Sequence, residues 1–350
     1  MDLGRSRHGG TRYDATPDEL AALLDGEPAY RVRQVWDGLY RRGLAPEEMT
    51  DLPATLRARL GDTLPLALEP ARESVSDTGD TVKWLWRLGD GALIETVLMH
   101  YESRVTVCVS SQAGCAMACG FCATGQAGFE RQLTAGEIVE QVMRAGERAR
   151  AFEPARRVGN VVLMGMGEPM ANYDNVWTAV HRLHDDVGIS ARHLTISTVG
   201  IIPGIRRLAV DDLPVNLAVS LHAANDTLRD ELVPINRRYP LADLATACAD
   251  YVAATRRRLS FEWALIAGVN DRGSDAEELA ALCHPLGAHV NLIPLNPTPG
   301  YATPGTPPEG VRRFRDALRS LGVNATVRQN RGTEIDAACG QLRATEVQIR

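Results

Sequence analysis

Two features common in membrane and secreted proteins are missing from this sequence. The 350-residue chain has no apolar run of the roughly 18 residues or more that a membrane span needs, and no hydrophobic stretch follows Met1. We therefore expect no membrane contact and a reducing, cytoplasmic compartment. In that compartment the seven cysteines indicate ligation or catalysis rather than stable disulfide bonds.

Lysine is almost absent as well. Lys83 is the one lysine among 38 basic residues, and the other 37 are arginines, several of them clustered as at Arg41/Arg42 and Arg256 to Arg258. The formal net charge of −6 does not exclude a nucleic-acid partner, because phosphate binding depends on local patches. Arginine makes bidentate contacts with phosphate and stacks on bases. For most of these clusters, however, a solvated helix face is the simpler interpretation.

A second Cys-x2-Cys pair is also missing, and this bears on the most informative motif. Cys115, Cys119 and Cys122 have the spacing C-x3-C-x2-C, with Phe121 before the last cysteine. Structural zinc sites usually have four ligands, often from two such pairs, so zinc is disfavoured, as are ordinary buried thiols. Three thiolates can hold a 4Fe–4S cluster and leave one iron open. The motif resembles the signature of the radical S-adenosylmethionine (SAM) superfamily.

The hydrophobic pattern changes twice along the chain. Residues 16–70 have helical spacing, and residues 81–99 alternate with period two around a turn at 89–91, which predicts a β-hairpin. From residue 105 onwards, apolar strands alternate with helices, as in a parallel sheet covered by helices. The predicted strands are 105–109, 161–164, 194–197, 215–221, 259–266, 290–295 and 325–327, and the helices are 134–150, 172–186, 203–209, 241–258, 275–286 and 309–321. Six such units predict an α/β fold with a partial (β/α)6 barrel, although a closed (β/α)8 barrel or a doubly wound sheet gives the same pattern.

Polar residues follow the predicted strands where such folds bind ligands, at the carboxyl ends. Taken singly, each is more often a structural polar group; together they predict a site for the ribose and amino-acid parts of a nucleoside ligand such as SAM. The candidate SAM-binding residues are Gly167, Glu168, Ser197, Ser220, Leu221, His222 and Asn296.

The remaining cysteines differ in context. Cys248 and Cys283 lie in predicted helices and are interpreted as small buried hydrophobic residues. Cys108 lies on the first barrel strand, just before the cluster motif. Cys339 lies in a loop of small residues near the chain end, where no apolar periodicity explains it. A reachable thiolate of this kind suits nucleophilic or covalent chemistry.

Six motifs, together with the cluster cysteines, closely resemble the RlmN family over about residues 28–342. They are Val107-Cys-Val-Ser-Ser-Gln, Gly165-Met-Gly-Glu-Pro, Ser220-Leu-His-Ala, Leu232-Val-Pro-Ile-Asn-Arg, Leu292-Ile-Pro-Leu-Asn-Pro and Asp336-Ala-Ala-Cys-Gly-Gln-Leu. The resemblance implies a radical SAM enzyme that methylates C2 of adenine 2503 in 23S ribosomal RNA and C2 of the adenosine 3′ of the anticodon in tRNA. It also implies one 4Fe–4S cluster, two molecules of SAM per turnover, an electron donor such as flavodoxin or ferredoxin, and a monomer.

The polar, glycine-rich composition predicts a disordered tail (residues 1–15), and the hydrophobic pattern predicts the hairpin linker (81–100) and the barrel with its C-terminal cysteine loop (101–350). The resemblance implies that the helical region between tail and hairpin (16–80) is an accessory domain that binds RNA, and it also implies catalytic roles. Cys339 carries the methyl group, Cys108 resolves the intermediate through a transient disulfide with Cys339, and Glu95 accepts the proton from C2. Glu95 lies in an otherwise apolar run, and alternation alone also allows it to face solvent.

Three alternatives remain at this stage. Methylation at C8 of the same ribosomal adenosine uses the same two cysteines in a closely related family. A non-enzymatic iron–sulfur protein that binds RNA would need the metal only to fold its loop. A radical SAM enzyme acting on a protein or a small molecule is the third. The last two do not require the pair Cys108 and Cys339.

Overall fold

Twelve strands and eleven α-helices are formed by the residues that this computed structural model describes, which are 11–152, 154–328, 331–338 and 340–343. The helices are α1 (Pro17–Leu23), α2 (Tyr30–Tyr40), α3 (Ala54–Thr63), α4 (Ala123–Ala127), α5 (Ala135–Arg150), α6 (Tyr173–His181), α7 (Ile202–Val210), α8 (Asp226–Leu232), α9 (Leu241–Thr255), α10 (Gly273–Leu286) and α11 (Pro308–Ser320). The strands are β1 (Glu69–Val75), β2 (Thr81–Arg87), β3 (Leu93–His100), β4 (Val105–Cys108), β5 (Gln112–Gly114), β6 (Phe129–Gln132), β7 (Asn160–Leu163), β8 (Leu194–Thr198), β9 (Asn216–Ser220), β10 (Leu259–Leu265), β11 (His289–Pro294) and β12 (Ala325–Val327).

Ten of these strands form one sheet, in the order β1-β2-β3-β4-β7-β8-β9-β10-β11-β12. Strands β1 to β4 pair antiparallel, and every pairing from β4 to β12 is parallel. The parallel strands follow the order of the chain, so the topology lacks the reversal of a doubly wound sheet. Because β4 is paired with β3 on one side and β7 on the other, β12 cannot close a barrel against it. The predicted partial (β/α)6 barrel is confirmed, with the β2–β3 hairpin as an extension of its sheet.

Helix α5 fixes the start of the cluster loop. Its first turn is a capping box, in which the Glu137 amide donates to Thr134 Oγ1 (3.1 Å) and the Thr134 amide donates to Glu137 Oε2 (2.9 Å). One turn later, the buried Gln141 side chain accepts from the Ser110 amide (2.8 Å) and donates to the Ser110 carbonyl (2.9 Å). These two bonds satisfy the backbone groups of Ser110, which no longer pair with a neighbouring strand once the chain leaves β4.

The predicted disordered tail is wrong for residues 11–15, and residues 1–10 lie outside the described part of the chain. Tyr13 is 4% exposed and packs edge-on against Tyr40, with ring centroids 5.6 Å apart. Asp14 Oδ1 accepts from the Gly136 amide at the start of α5 (2.8 Å), where the helix dipole favours a carboxylate. These long-range contacts order a segment whose own composition is polar and glycine-rich.

Residues 16–80 were expected to form a helical domain, but Glu69–Val75 within this range form strand β1. This edge strand has almost no buried side chain, so no alternation of apolar residues announces it. Helices α1 to α3 bury Leu20, Val35 and Leu56 in the same hydrophobic core as the sheet. The division of the chain into domains stays a prediction. Among the described residues, no helix is long and apolar enough to cross a membrane.

Candidate active site

A cavity that is partly open to solvent lies at the carboxyl ends of the parallel strands. It brings together the three cysteines of the cluster motif and six of the seven predicted SAM-binding residues. Those residues are Cys115, Cys119, Cys122, Gly167, Glu168, Ser197, Ser220, His222 and Asn296. Leu221 does not line the cavity; its amide and carbonyl bond to the Glu262 carbonyl (3.0 Å) and the Arg229 side chain (3.1 Å).

The cluster loop runs between β5 and α4 and folds tightly on itself. The Cys122 amide donates to the Cys119 carbonyl (3.1 Å), and the Cys115 amide donates to the Gly128 carbonyl (2.7 Å). Gly125 lies against this turn, and a Cβ at that position would come within 2.9 Å of the Cys119 carbonyl oxygen. The loop therefore directs three thiols to one wall of the cavity.

Burial keeps the thiols of Cys115 and Cys119 protonated in the absence of a cation. Desolvation, and to a smaller extent the nearby Glu168 and Cys122, raise the pKa of the Cys115 thiol to about 12. The pKa of Cys119 is also raised, first by desolvation and then by the neighbouring thiols. A positively charged iron centre supplies the compensation that a thiolate needs here.

The donor set fits a 4Fe–4S cluster held by three thiolates. Cys115, Cys119 and Cys122 are the only cysteines among the described lining residues, so one iron would be left for another ligand. Nowhere in the described chain do three His, Cys, Asp or Glu side chains converge as a site for a single metal ion requires. The three thiols line the cavity wall instead, and soft thiolate donors suit iron–sulfur clusters.

Glu168 is a buried carboxylate that lines the same cavity. Its Oε1 accepts from the Met170 amide (3.0 Å) and its Oε2 from the Val199 amide (2.8 Å). Desolvation raises the pKa of Glu168 to about 7. Gly167 precedes it with φ of +102°, and a Cβ there would come within 2.6 Å of the Gln112 side chain. Only glycine therefore allows this turn, which brings a carboxylate next to the cluster loop.

Two serines and a histidine come from the next two strand ends. Ser197 Oγ and Ser220 Oγ are 3.4 Å apart. His222 accepts from the Ala264 amide at Nδ1 (3.0 Å), and its ring packs edge-on against Phe121 with centroids 4.8 Å apart. Desolvation, followed by the charge of Arg229, lowers the pKa of His222 to about 3. The imidazole is therefore neutral and can present its second nitrogen as a donor.

A second cavity, also partly open to solvent, contains Cys108 in its lining. It shares Met164, Ile293, Arg328 and Leu342 with the first cavity, so the two spaces adjoin. The charged residues of its described lining are Arg104, Arg328 and Arg331. Arg328 pairs with Glu262 (3.3 Å) and Arg331 pairs with Asp80, so carboxylates balance part of this positive charge.

Cys339 itself lies outside the described residues, but its flanks connect the two cavities. Ala338 lines the second cavity, and Gly340 lines the first. The carbonyl of Gly340 accepts from the Ala123 amide (2.9 Å), and the carbonyl of Leu342 accepts from Thr124 Oγ1 (2.6 Å). The C-terminal segment is therefore attached to the helix that follows Cys122.

Glu95 is buried, so the solvent-facing interpretation is wrong. It is 3% exposed, and its Oε1 lies 3.0 Å from Lys83 Nζ. Its Oε2 accepts from the Arg343 amide at 2.9 Å. Glu95 is not among the described residues that line either cavity, but Leu342, next to Arg343, lines both.

Arg229 was not predicted from the sequence, although it supports the site. Its buried guanidinium donates to the carbonyls of Val199 (2.6 Å) and Leu221 (3.1 Å) and to Asn236 Oδ1 (2.7 Å). Desolvation lowers the pKa of Arg229 to about 10. It braces the ends of β8 and β9, which carry Ser197 and Ser220. No local pattern marks it, because its partners, which also include the Ser220 carbonyl (3.5 Å), are carbonyl or amide oxygens in other turns.

The sequence is similar to known proteins over most of its length. The family model described as the radical SAM superfamily matches residues 109–283. A protein of Chloroflexus aurantiacus named "Probable dual-specificity RNA methyltransferase RlmN" is 51% identical over 344 residues, covering 94% of this chain and 92% of its own. The protein of the same name from Salinispora tropica is 53% identical and covers 92% of this chain and 89% of its own.

A solved structure is similar over nearly the whole chain. The radical SAM methyltransferase from Sphaerobacter thermophilus superimposes with a TM-score of 0.92 at 52% identity, covering 96% of this chain and 99% of its own. Sequence and fold therefore agree on one assignment: the chain belongs to the RlmN family of radical SAM methyltransferases.

Proposed function

We propose that this enzyme methylates C2 of adenine 2503 in 23S ribosomal RNA and C2 of the adenosine 3′ of the anticodon in tRNA, through a methyl group carried on Cys339. The names of the relatives, which describe dual-specificity RNA methyltransferases, support RNA as the substrate. The observation that carries the proposal is the arrangement of the flanks of Cys339. One neighbour lines the predicted SAM cavity and the other lines the cavity that contains Cys108.

Cofactors would be held by residues of the first cavity. Cys115, Cys119 and Cys122 would hold the cluster, Glu168 would bind the amino group of SAM, and Ser197 and Ser220 would bind its ribose. His222, Leu221, Gly167 and Asn296 complete the proposed SAM site. When bound, the cluster and two molecules of SAM per turnover supply the methyl group, the 5′-deoxyadenosyl radical and the exchange of single electrons.

The protein residues supply the covalent and acid–base chemistry. Adenine C2 is an electron-poor carbon without a lone pair, so an electrophilic methyl group cannot be placed on it directly. Cys339 sulfur carries the methyl carbon. This carbon would give up one hydrogen atom to the 5′-deoxyadenosyl group and become bonded to C2 with the sulfur–carbon bond intact, and one electron would return to the cofactors. Glu95 accepts the C2 proton. Cys108 thiolate attacks Cys339 sulfur, which forms the S–S bond and breaks the sulfur–carbon bond. The methylene carbon that leaves sulfur takes up a proton and becomes the methyl group of the released base.

The second cavity suits a nucleotide turned out of its helix. Side chains of the barrel strands in its lining, Thr106 and Asn160, offer hydrogen bonds to base edges. At the same cavity, the guanidinium groups of Arg104 and Arg331 lie 4.3 Å and 4.4 Å from the centre of the Tyr101 ring. Guanidinium groups at this position suit contacts with phosphate, and Arg331 also pairs with Asp80. We further propose a monomer that receives electrons from a flavodoxin or a ferredoxin.

The product nucleoside tests the site of methylation. RNA from a strain that lacks this protein is incubated with anaerobic enzyme, SAM and a reductant, then digested and compared with 2-methyladenosine and 8-methyladenosine standards. We expect 2-methyladenosine from both ribosomal RNA and tRNA. A dominant 8-methyl product would support C8 methylation, the alternative within the same chemistry. Cleavage of SAM without any methyl group added to RNA would favour a radical SAM enzyme that acts on another substrate. Absence of both reactions in protein that contains its cluster would favour a non-enzymatic role.

Removal of the cluster ligands should remove all radical chemistry. We expect wild-type protein reconstituted without oxygen to contain about four iron atoms per chain and to cleave SAM on reduction. The triple variant Cys115→Ala/Cys119→Ala/Cys122→Ala should bind little iron and form no 5′-deoxyadenosine. The variant Cys283→Ala is the matched control, because Cys283 is buried in α10 and lines neither cavity. Stoichiometric zinc in place of iron in anaerobically purified wild-type protein would contradict the assignment.

A further inference from the structure

Lys83, the one lysine of the chain, forms a buried ion pair with Glu95. It lies on β2 and is 4% exposed, and its Nζ is 3.0 Å from Glu95 Oε1 on β3. Removing two charges from water is costly unless their remaining hydrogen bonds are also satisfied. The positions of those additional bonds indicate what the pair holds in place.

Both members of the pair complete their hydrogen bonds on the C-terminal segment. Lys83 Nζ donates to the carbonyl of Asp336 at 3.1 Å, and Glu95 Oε2 accepts from the amide of Arg343 at 2.9 Å. Asp336 precedes Cys339 by three residues and Arg343 follows it by four. One ion pair in the β2–β3 hairpin therefore binds the backbone on both sides of Cys339.

The geometry of Asp336 suits such an anchor. It has φ of +51° and ends the short helical turn Thr333–Ile335. This conformation is unfavourable for a residue other than glycine, so surrounding contacts must maintain it. A lysine ammonium has three donors on a compact group, which lets it bind a carboxylate and a carbonyl in different directions.

We propose that Lys83 is a positioning residue, and that the Lys83–Glu95 pair is a clamp that fixes both flanks of Cys339 relative to the barrel. Its consequence for catalysis rests on the function proposed above, because it assumes that Cys339 carries the methyl group. Glu95, the proposed proton acceptor, is itself a member of the clamp. The same pair of side chains therefore positions the proton acceptor and the segment that carries the methyl group. The contacts of Ala123 and Thr124 hold the same segment from the side of the cluster loop.

Hydrogen–deuterium exchange of anaerobic, cluster-containing enzyme tests the clamp directly. In Lys83→Met we expect amides in the peptide that spans residues 336–343 to exchange about tenfold faster or more, as expected when hydrogen bonds to charged groups are lost. Peptides from α5 should exchange as in the wild type. RNA methylation should fall about 10²-fold, the size of loss that follows a small misplacement of reacting groups. Reductive cleavage of SAM should persist, because Lys83 lines neither cavity.

Two further variants make the result decisive. Lys83→Met/Glu95→Met removes both charges, so it avoids a lone buried carboxylate if the single variant fails to fold. Arg207→Met is the control for loss of an ion pair, since Arg207 pairs with Asp174 at 2.7 Å on the exposed surface. Unchanged exchange at residues 336–343 in the folded double variant would overturn the clamp. Exchange requires no RNA, so a wild-type enzyme that fails to methylate RNA would refute the proposed function and leave the clamp to be judged by exchange alone.

Discussion

Replacing Cys339 with alanine is expected to abolish RNA methylation while the enzyme still cleaves SAM. Without the sulfur there is no atom to carry the methyl carbon to C2, so methylation should fall by at least about 10⁴-fold, as when a covalent nucleophile is removed. The cluster ligands belong to a different loop, between β5 and α4, so iron content and formation of 5′-deoxyadenosine should be retained. Mass spectrometry of wild-type protein isolated from cells should find a methyl group on the peptide that contains Cys339.

The matched control is a cysteine that the structure places in the core. Cys248 is fully buried in α9 and Cys283 is 2% exposed in α10, and neither lines a cavity. Cys283→Ala should therefore methylate RNA nearly as well as the wild type. If Cys339→Ala retains methyl transfer, Cys339 is not the carrier, and the resolving role of Cys108 loses its basis as well.

The barrel could be predicted from the sequence because its signals are local. Buried parallel strands are continuous apolar runs, and each of the seven predicted strands, from 105–109 to 325–327, is present within one or two residues. Six of the seven predicted SAM-binding residues line one cavity, because parallel strands bring their carboxyl ends to the same edge. Spacing within a single loop was likewise enough to indicate the three cluster cysteines.

Features that depend on distant contacts could not be predicted. Tyr13 and Asp14 are ordered by Tyr40 and by the start of α5, which lie far along the chain. The exposed edge strand β1 has no apolar alternation. In the sequence, Lys83 is notable only as the one lysine of the chain. Its hydrogen bond to the Asp336 carbonyl joins residues that are 253 positions apart. Polar side chains that bind backbone groups leave no periodic pattern, because the partner contributes a carbonyl or an amide that every residue has.

Replacing Cys108 with alanine is expected to stop the reaction after the bond to C2 has formed. Cys108 lines the second cavity together with Ala337 and Ala338, two residues that immediately precede Cys339. It lies at the end of β4, ahead of the cluster loop, so its loss should leave iron content and SAM cleavage intact. Without its thiolate nothing attacks Cys339 sulfur, and the sulfur–carbon bond to the base is not broken.

The expected product of Cys108→Ala is therefore a covalent adduct of the enzyme with RNA through a methylene bridge. It should appear as a slowly migrating band on a denaturing gel and, after nuclease and protease digestion, as an adenosine attached to the peptide that contains Cys339. The double variant Cys108→Ala/Cys339→Ala should form no adduct, since it lacks the sulfur that would carry the bridge. Free 2-methyladenosine at the wild-type rate, with no adduct, would show that another group releases the product; in that case the proximity of Cys108 to the flanks of Cys339 would be structural only.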